Sequence, residues 1–268
     1  MRVILKDKKD LSVLRTREDI WSNEDYEIVG SQDEIKRDIN VELLSVKFSK
    51  VGQKTFDNYP NLRWILCRSH GYDNINVELA EKYNVGIVCT NPNTFDVANW
   101  IHRKVLGDSV FILGAGRIGK MFSKMYSGQS LLITSKSNYD YEILKNYDTI
   151  VLSSAPTEKP ILTEKLLQNF HGGIVSVSRP SCIDNNALLD AINDGRISYA
   201  EMDMLDTNLR KELLDTGKCR YYKHTAWGND KTVYDENYYK NLFKEIDLTL
   251  SSESDNVVIK RRKSFFED

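Results

Sequence analysis

Short apolar runs rich in Val and Ile recur along this chain, separated by polar stretches whose apolar positions repeat at helical spacing. That is the pattern of strands alternating with helices in a parallel sheet. It occurs twice. The first set is RVIL at 2–5, LLSV at 43–46, WILC at 64–67 and GIVC at 86–89, with VELAEKYN between the last two placing Val77, Leu79, Ala80 and Tyr83 on one side of a short helix. The second set is SVFIL at 109–113, SLLIT at 130–134, TIVLS at 149–153, GIVSV at 173–177 and YAEMDM at 199–204. Thr163 is placed to cap TEKLLQNF, which stops at the Gly172 and Gly173 pair, and Asp184 to cap NNALLDAIND, which stops at Gly195. After Gly228, KTVYDENYYKNLFKEIDLTL reads as one long helix and VVIK as a last strand. The fold class expected is α/β, with two units of unequal size.

Directly after SVFIL comes GAGRIGKMFSKMYSG, a GxGxxG of Gly114, Gly116 and Gly119 with Arg117 and Ile118 inside it. Placed between a strand and a helix, such a motif has a physical purpose. The first glycine permits a tight turn, the second lets backbone approach a pyrophosphate, and the third lets helix and strand pack closely, with helix N-terminal amides aimed at the phosphates. In NAD-binding proteins the next strand ends on a carboxylate that holds the ribose hydroxyls. Here it ends LLITSKSN, and Ser135, Lys136 and Ser137 offer hydroxyls and a cation suited to the 2′-phosphate of NADP. NADP is therefore the expected cofactor, with NAD as the alternative.

Composition narrows the partners. Apolar residues at 41% and charged residues at 28% of 268 residues are those of a globular protein large enough for two modest domains. A net charge of −2 gives no overall field toward nucleic acid or membrane, and the KRRK run at 260–263 reads as a solvated tail. Cys67, Cys89, Cys182 and Cys219 are scattered without a CxxC pair or a histidine at metal-ligand spacing, which points to reduced thiols and a cytoplasmic setting without a metal. The N-terminal apolar run is too short for a signal peptide and no window approaches a membrane span.

Taken in order, these pieces resemble the D-isomer-specific 2-hydroxyacid dehydrogenases, the family of phosphoglycerate, glyoxylate/hydroxypyruvate and D-lactate dehydrogenases. The resemblance covers about 60–230. It is carried by LRWILCRSHGYDNINVELAEKYNVGIVCTNPN, GAGRIG, the long stretch from YDTIVLSSAPTEKP to SYAEMDML, and KHTAWGN. It implies two Rossmann-like domains, a substrate domain of 1–95 plus 229–268 completed by the C-terminal helix, and a dinucleotide-binding domain of 96–228. It also implies roles. Arg179 matches the arginine that binds the substrate carboxylate, and His224 matches the histidine that exchanges the hydroxyl proton, a fork-shaped cation and a group able to titrate near neutral pH. Ser69, His70 and Gly71 match the loop whose amides receive the carboxylate. Pro156 and Thr157 fall where the nicotinamide is lined, and Asp203 matches the aspartate that holds its amide.

Three departures stand against that pattern. The family places a Glu five residues after the motif aspartate to pair with the histidine, and that position is Asn208, which makes Asp206 the expected substitute, ahead of Glu212. Pro180 follows Arg179 where the family has Gly. Only NPNTFDVANWIHRKVLGD separates Thr90 from Ser109, so the helical arm that forms the family's usual dimer is missing, and a monomer or a dimer through another surface is expected. The expected activity is reduction of a small 2-oxo acid to its D-2-hydroxy acid by hydride transfer. The alternative is a nucleotide-binding sensor or scaffold that kept the fold and lost the chemistry.

Overall fold

The computed structural model describes residues 2–5, 37–47, 49–69, 71–90, 94–134, 137–226, 236–254 and 257–259. His70, Ser135, Lys136, the start of the stretch after Gly228 and the KRRK run lie outside the described residues. In chain order the strands are β1 (Arg2–Leu5), β2 (Val41–Val46), β3 (Trp64–Cys67), β4 (Gly86–Cys89), β5 (Ser109–Leu113), β6 (Gln129–Ile133), β7 (Thr149–Leu152), β8 (Gly172–Ser176), β9 (Ile197–Met202), β10 (Cys219–Tyr221) and β11 (Val257–Ile259). The helices are α1 (Gln53–Asn58), α2 (Val77–Lys82), α3 (Thr94–His102), α4 (Arg117–Met125), α5 (Glu164–Gln168), α6 (Asn185–Asn193), α7 (Arg210–Asp215) and α8 (Glu236–Leu250), with 3₁₀ turns at Tyr141–Asn146 and Pro180–Cys182. They form two compact units, Met1–Pro92 with Lys231–Asp268, and Asn93–Asp230.

The first unit holds a sheet of order β1-β2-β3-β4-β11. β1 to β4 run parallel and β11 closes the edge antiparallel to β4. Its central strands WILC and GIVC are buried at every position, which is why they read as continuous apolar runs instead of alternating ones. One face packs Phe56 of α1 and Ala80 of α2 against Leu44, Ile65 and Ile87. The other packs Leu242 and Ile246 of α8 against Val3, Leu43, Trp64, Leu66 and Val88.

The second unit is a parallel sheet of order β10-β9-β8-β7-β5-β6. α3 and α4 cover one face through Val97, Trp100, Ile101 and Phe122. α5 and α6 cover the other through Leu166, Leu167, Leu188, Ala191 and Ile192, packed on Phe111, Ile150, Ile174 and Met202. β5 pairs with both β6 and β7, so the chain leaves it in opposite directions and opens a crevice at the carboxyl ends of β5 and β7, where such sheets bind ligands.

The caps expected from sequence are formed. The Thr163 side chain accepts from the Leu166 amide, and Asp184 Oδ1 from the Ala187 amide at 3.1 Å, with Gly195 left-handed beyond the end of α6. Asp184→Ala should lower the stability of this unit by about 1 kcal/mol, read as a lower urea midpoint, with Asp184→Asn close to wild type. One expectation is corrected. Gly172 and Gly173 begin β8 and do not end the preceding helix, which stops at Gln168 with the Asn169 amide turned back onto the Leu166 and Leu167 carbonyls; glycine is needed at 173 because a Cβ there would lie 1.9 Å from the Tyr199 ring.

Candidate cofactor and catalytic site

At the carboxyl end of β5 the chain turns through Gly114 at φ +119°, where a Cβ would lie 2.6 Å from the Ser154 amide nitrogen. A Cβ on Gly119 would lie 2.0 Å from the Gly114 carbonyl oxygen, so the first turn of α4 packs on the β5 turn with no room for a side chain. Ser153 Oγ donates to the same carbonyl at 3.0 Å and ties this turn to the end of β7. Gly116 is different. It is the N-cap of α4, no side chain caps that helix, its first turn carries no acidic residue, and a Cβ there would meet nothing within 4 Å. Uncapped amides, the positive end of a helix dipole and open space, with Arg117 and half-buried Ile118 following, suit a pyrophosphate.

The turn after β6 is closed by Ser137, whose Oγ accepts from the Thr134 amide at 3.0 Å and whose own amide donates to the Thr134 carbonyl at 3.0 Å. In the segment following β7, Pro156 is exposed and Thr157 Oγ1 donates to the Lys159 carbonyl at 2.7 Å. Behind that segment lies a feature the sequence did not announce. The buried Cys182 thiol donates to the Ala155 carbonyl at 3.4 Å and accepts from Ser154 Oγ at 3.6 Å, while Ser178 Oγ donates to the Ser154 carbonyl at 3.0 Å. These contacts join the segment to the turn that carries Arg179. A single cysteine in RPSCID gives no such signal.

Arg179 is the N-cap of the Pro180–Cys182 turn, with extended backbone at φ −65°, ψ 151°. That is the conformation a residue before proline prefers, and the absent proline N–H is harmless at the first position of the turn. Pro180 is thus accommodated. Arg179 Nη1 lies 3.0 Å from Met204 Sδ, and its charge falls on Asp203.

His224 sits beyond β10 in a turn of unusual backbone: Lys223 at φ +53° and His224 at φ +59° are both left-handed. Such residues cost about 1 kcal/mol each and persist only when neighbours over-determine them. Asp203 is the main neighbour. Its carbonyl accepts the His224 amide at 2.6 Å and its Oδ1 accepts the Ala226 amide at 2.8 Å. Burial pushes the Asp203 carboxyl up, opposed in turn by the Ala226 amide, the charge on His224, the Thr225 amide and Arg179. The Asp203 carboxylate thus feels the charges of both His224 and Arg179. Asp206 instead turns back on its own loop and accepts the Asn208 amide at 3.0 Å.

In the first unit, Ser69 and Gly71 stand beyond β3. Ser69 Oγ donates to the Gly71 carbonyl, and the buried Cys67 thiol lies 3.1 Å from Ser69 Oγ and donates to Gly71 at 3.2 Å. Asn74 Nδ2 donates to the Ser49 carbonyl at 2.8 Å, joining the segment after β3 to the one after β2. None of the four cysteines is in a disulfide, and all four are buried, as small apolar groups would be. Among the described residues no His, Cys, Asp and Glu group forms a metal site, and no helix is long and apolar enough to cross a membrane.

A parallel sheet with an uncapped, glycine-turned helix at its switch point defines a dinucleotide-binding protein. Two family models extend this across the chain: D-isomer specific 2-hydroxyacid dehydrogenase, catalytic domain, matches residues 8–101, and the NAD binding domain of the same family matches residues 90–226. A glyoxylate reductase of Pyrococcus horikoshii is 24% identical over 245 residues, covering 68% of this chain and 73% of that protein. Among solved structures, an acyclic imino acid reductase bound to NADPH and D-Arg superposes with a TM-score of 0.74 at 18% identity, over 97% of this chain and all of the other. D-Lactate dehydrogenase from Aquifex aeolicus with NAD and lactic acid gives 0.73 at 15% identity, over 98% and 100%. The chain belongs to the D-isomer-specific 2-hydroxyacid dehydrogenase family and is an NAD(P)-dependent oxidoreductase acting on CH–OH donors.

Proposed function

We propose that the protein is an NADPH-dependent reductase of a small 2-oxo acid, with glyoxylate and hydroxypyruvate the substrates to try first. The observation that carries this reading is the cluster in which Asp203 holds the His224 turn by two backbone amides, those of His224 and Ala226, and lies under the charge of Arg179. The likeness to a glyoxylate reductase supports the substrate class. NADPH, when bound, supplies the hydride for C2. The chain does the rest. Gly114, Gly116 and Gly119 form the turn and, with Arg117 and Ile118, present the amides that hold the pyrophosphate; Pro156 and Thr157 line the nicotinamide; and Ser135, Lys136 and Ser137 hold the 2′-phosphate. Amides of Ser69, His70 and Gly71 receive the substrate carboxylate, and the Arg179 guanidinium pairs with it and orients the oxo group. His224 holds the proton destined for the C2 oxygen and releases it as charge develops there. In this reading Asp203, with a charge of the sign that stabilises an imidazolium, takes the place expected for Asp206.

The test is loss of reduced-nicotinamide absorbance with NADPH or NADH and a panel of 2-oxo acids. Turnover that needs Arg179 and His224 supports the enzyme. Tight NADPH binding without turnover on any member supports a sensor or scaffold instead. A lysine on a 2′-phosphate makes a charge-assisted contact of about 1.5–3 kcal/mol, so Lys136→Asp should move the NADPH to NADH ratio of kcat/KM toward NADH by about tenfold or more. An unchanged ratio removes the role given to the 135–137 turn.

A further inference from the structure

Beneath the His224 turn, on the face of the second sheet that carries Trp100, stands a carboxylate with no place in the chemistry above. Glu201 lies within β9 and is 7% exposed. It accepts from Tyr222 Oη at 2.5 Å and from Arg220 Nη1 at 3.2 Å, and Lys104 Nζ is 3.8 Å away. Lys104 Nζ donates to the same Tyr222 hydroxyl at 2.6 Å and lies 4.1 Å from the centroid of its ring, while Trp100 meets that ring edge-on at 5.2 Å. Two segments distant in sequence, the end of α3 and β9, converge on one phenol.

A buried carboxylate with a half-buried lysine and an exposed arginine beside it is a poor way to hold a sheet together, since desolvation opposes the attraction and apolar residues of similar size serve as well. What such a cluster does supply is a fixed orientation. Tyr222 is the residue that enters the left-handed turn: its amide donates to the Met202 carbonyl at 2.9 Å and its carbonyl accepts Thr225 Oγ1 at 2.8 Å. Lys223 and His224 follow with two consecutive positive φ angles, a backbone that needs both ends fastened. Asp203 fastens the exit through Ala226, and the Tyr222 hydroxyl, gripped by Glu201 and Lys104, fastens the entry.

We propose that Glu201, Lys104 and Tyr222 are positioning residues that form a clamp on the entry of the turn and set where the His224 imidazole stands. None of them touches substrate in this proposal, which rests on the acid/base reading of His224.

The full-length protein with Tyr222→Phe tests it, with Glu201→Gln and Glu201→Leu as a pair. For Tyr222→Phe, kcat with glyoxylate and NADPH should fall by about tenfold or more, since small misplacements of a reacting group are costly. NADPH affinity should stay within about twofold, because the clamp acts on the turn and not on the glycine motif. The His224 imidazole NMR signal, assigned by its loss in His224→Gln, should shift. Glu201→Gln keeps an acceptor for the phenol and should retain more activity than Glu201→Leu. Tyr222→Phe with wild-type kcat and an unmoved imidazole signal overturns the clamp. So does an equal loss in both Glu201 variants accompanied by loss of NADPH binding, which would mark general damage to the unit. If Glu201→Leu does not fold, Tyr222→Phe decides. If the wild-type protein reduces no 2-oxo acid, the functional reading fails and the imidazole signal still decides the clamp.

Discussion

His224→Gln should lower kcat for glyoxylate reduction by about 10²–10⁴-fold, the range associated with a positioned general acid or base. Glutamine keeps a polar side chain of similar reach but has no proton to exchange near neutral pH. The turn itself is held through main-chain groups, the His224 amide on the Asp203 carbonyl and the Ala226 amide on the Asp203 carboxylate, so the substitution leaves its anchors in place. NADPH affinity should therefore be preserved, and the loss should appear in kcat. Arg179→Ala should act differently, with KM for the oxo acid rising as well as kcat falling, because the fork that pairs with the carboxylate is gone. Steady-state kinetics beside a fluorescence titration of NADPH separates the two. Wild-type kcat in His224→Gln would remove the histidine from the chemistry.

The second large effect is expected at Gly119. Gly119→Val places a Cβ 2.0 Å from the Gly114 carbonyl oxygen and 2.8 Å from Ser153 Oγ. The carbonyl belongs to a turn pinned at φ +119° against the backbone of Ser153 and Ser154, so it has no direction in which to retreat. α4 must lift from β5, which carries the amides away from the position a pyrophosphate requires. Overpacking of this kind costs about 1–3 kcal/mol, and NADPH affinity should fall by about tenfold or more as the same displacement is felt at the phosphates. Gly116→Ala is the internal control, since its Cβ meets nothing within 4 Å of protein, and any affinity it loses is a clash with ligand alone. Calorimetric titration with a parallel thermal melt reads both. An unaltered affinity in Gly119→Val would show that the glycine turn is not where the dinucleotide binds.

The central strands were legible because both of their faces are covered, which makes WILC, GIVC and the IVL of β7 unbroken apolar runs. β10 was not, since CRY puts one buried cysteine beside an exposed arginine and has no periodicity to read. α3 lies in a segment that reads only as a short link, yet Val97, Ala98, Trp100 and Ile101 seal one face of the second sheet. The glycine turn and the candidates Arg179 and His224 were marked by the order of motifs along the chain. Their supports were not. The resemblance gives Asp203 to the nicotinamide, and only the folded turn shows it also accepting the amides of His224 and Ala226. Glu201 stands in a run, YAEMDM, where alternation puts a carboxylate toward water. Its burial depends on Lys104 and Tyr222, which are brought to it by folding and not by spacing.

The two-part composition of the first unit, Met1–Pro92 with Lys231–Asp268, constrains the order in which the molecule is built. During synthesis the whole of Asn93–Asp230 leaves the ribosome as an uninterrupted stretch and can collapse around its own sheet. The earlier-made strands must wait: Val3, Leu43, Trp64, Leu66 and Val88 have no cover until Leu242 and Ile246 arrive, and the free flank of β4 has none until Val257 does. Of the two units, the one whose strands are translated earlier is thus completed later. For that interval the nascent chain carries a wet apolar surface beside an unpaired strand, the state in which chaperone capture and misassembly compete with folding.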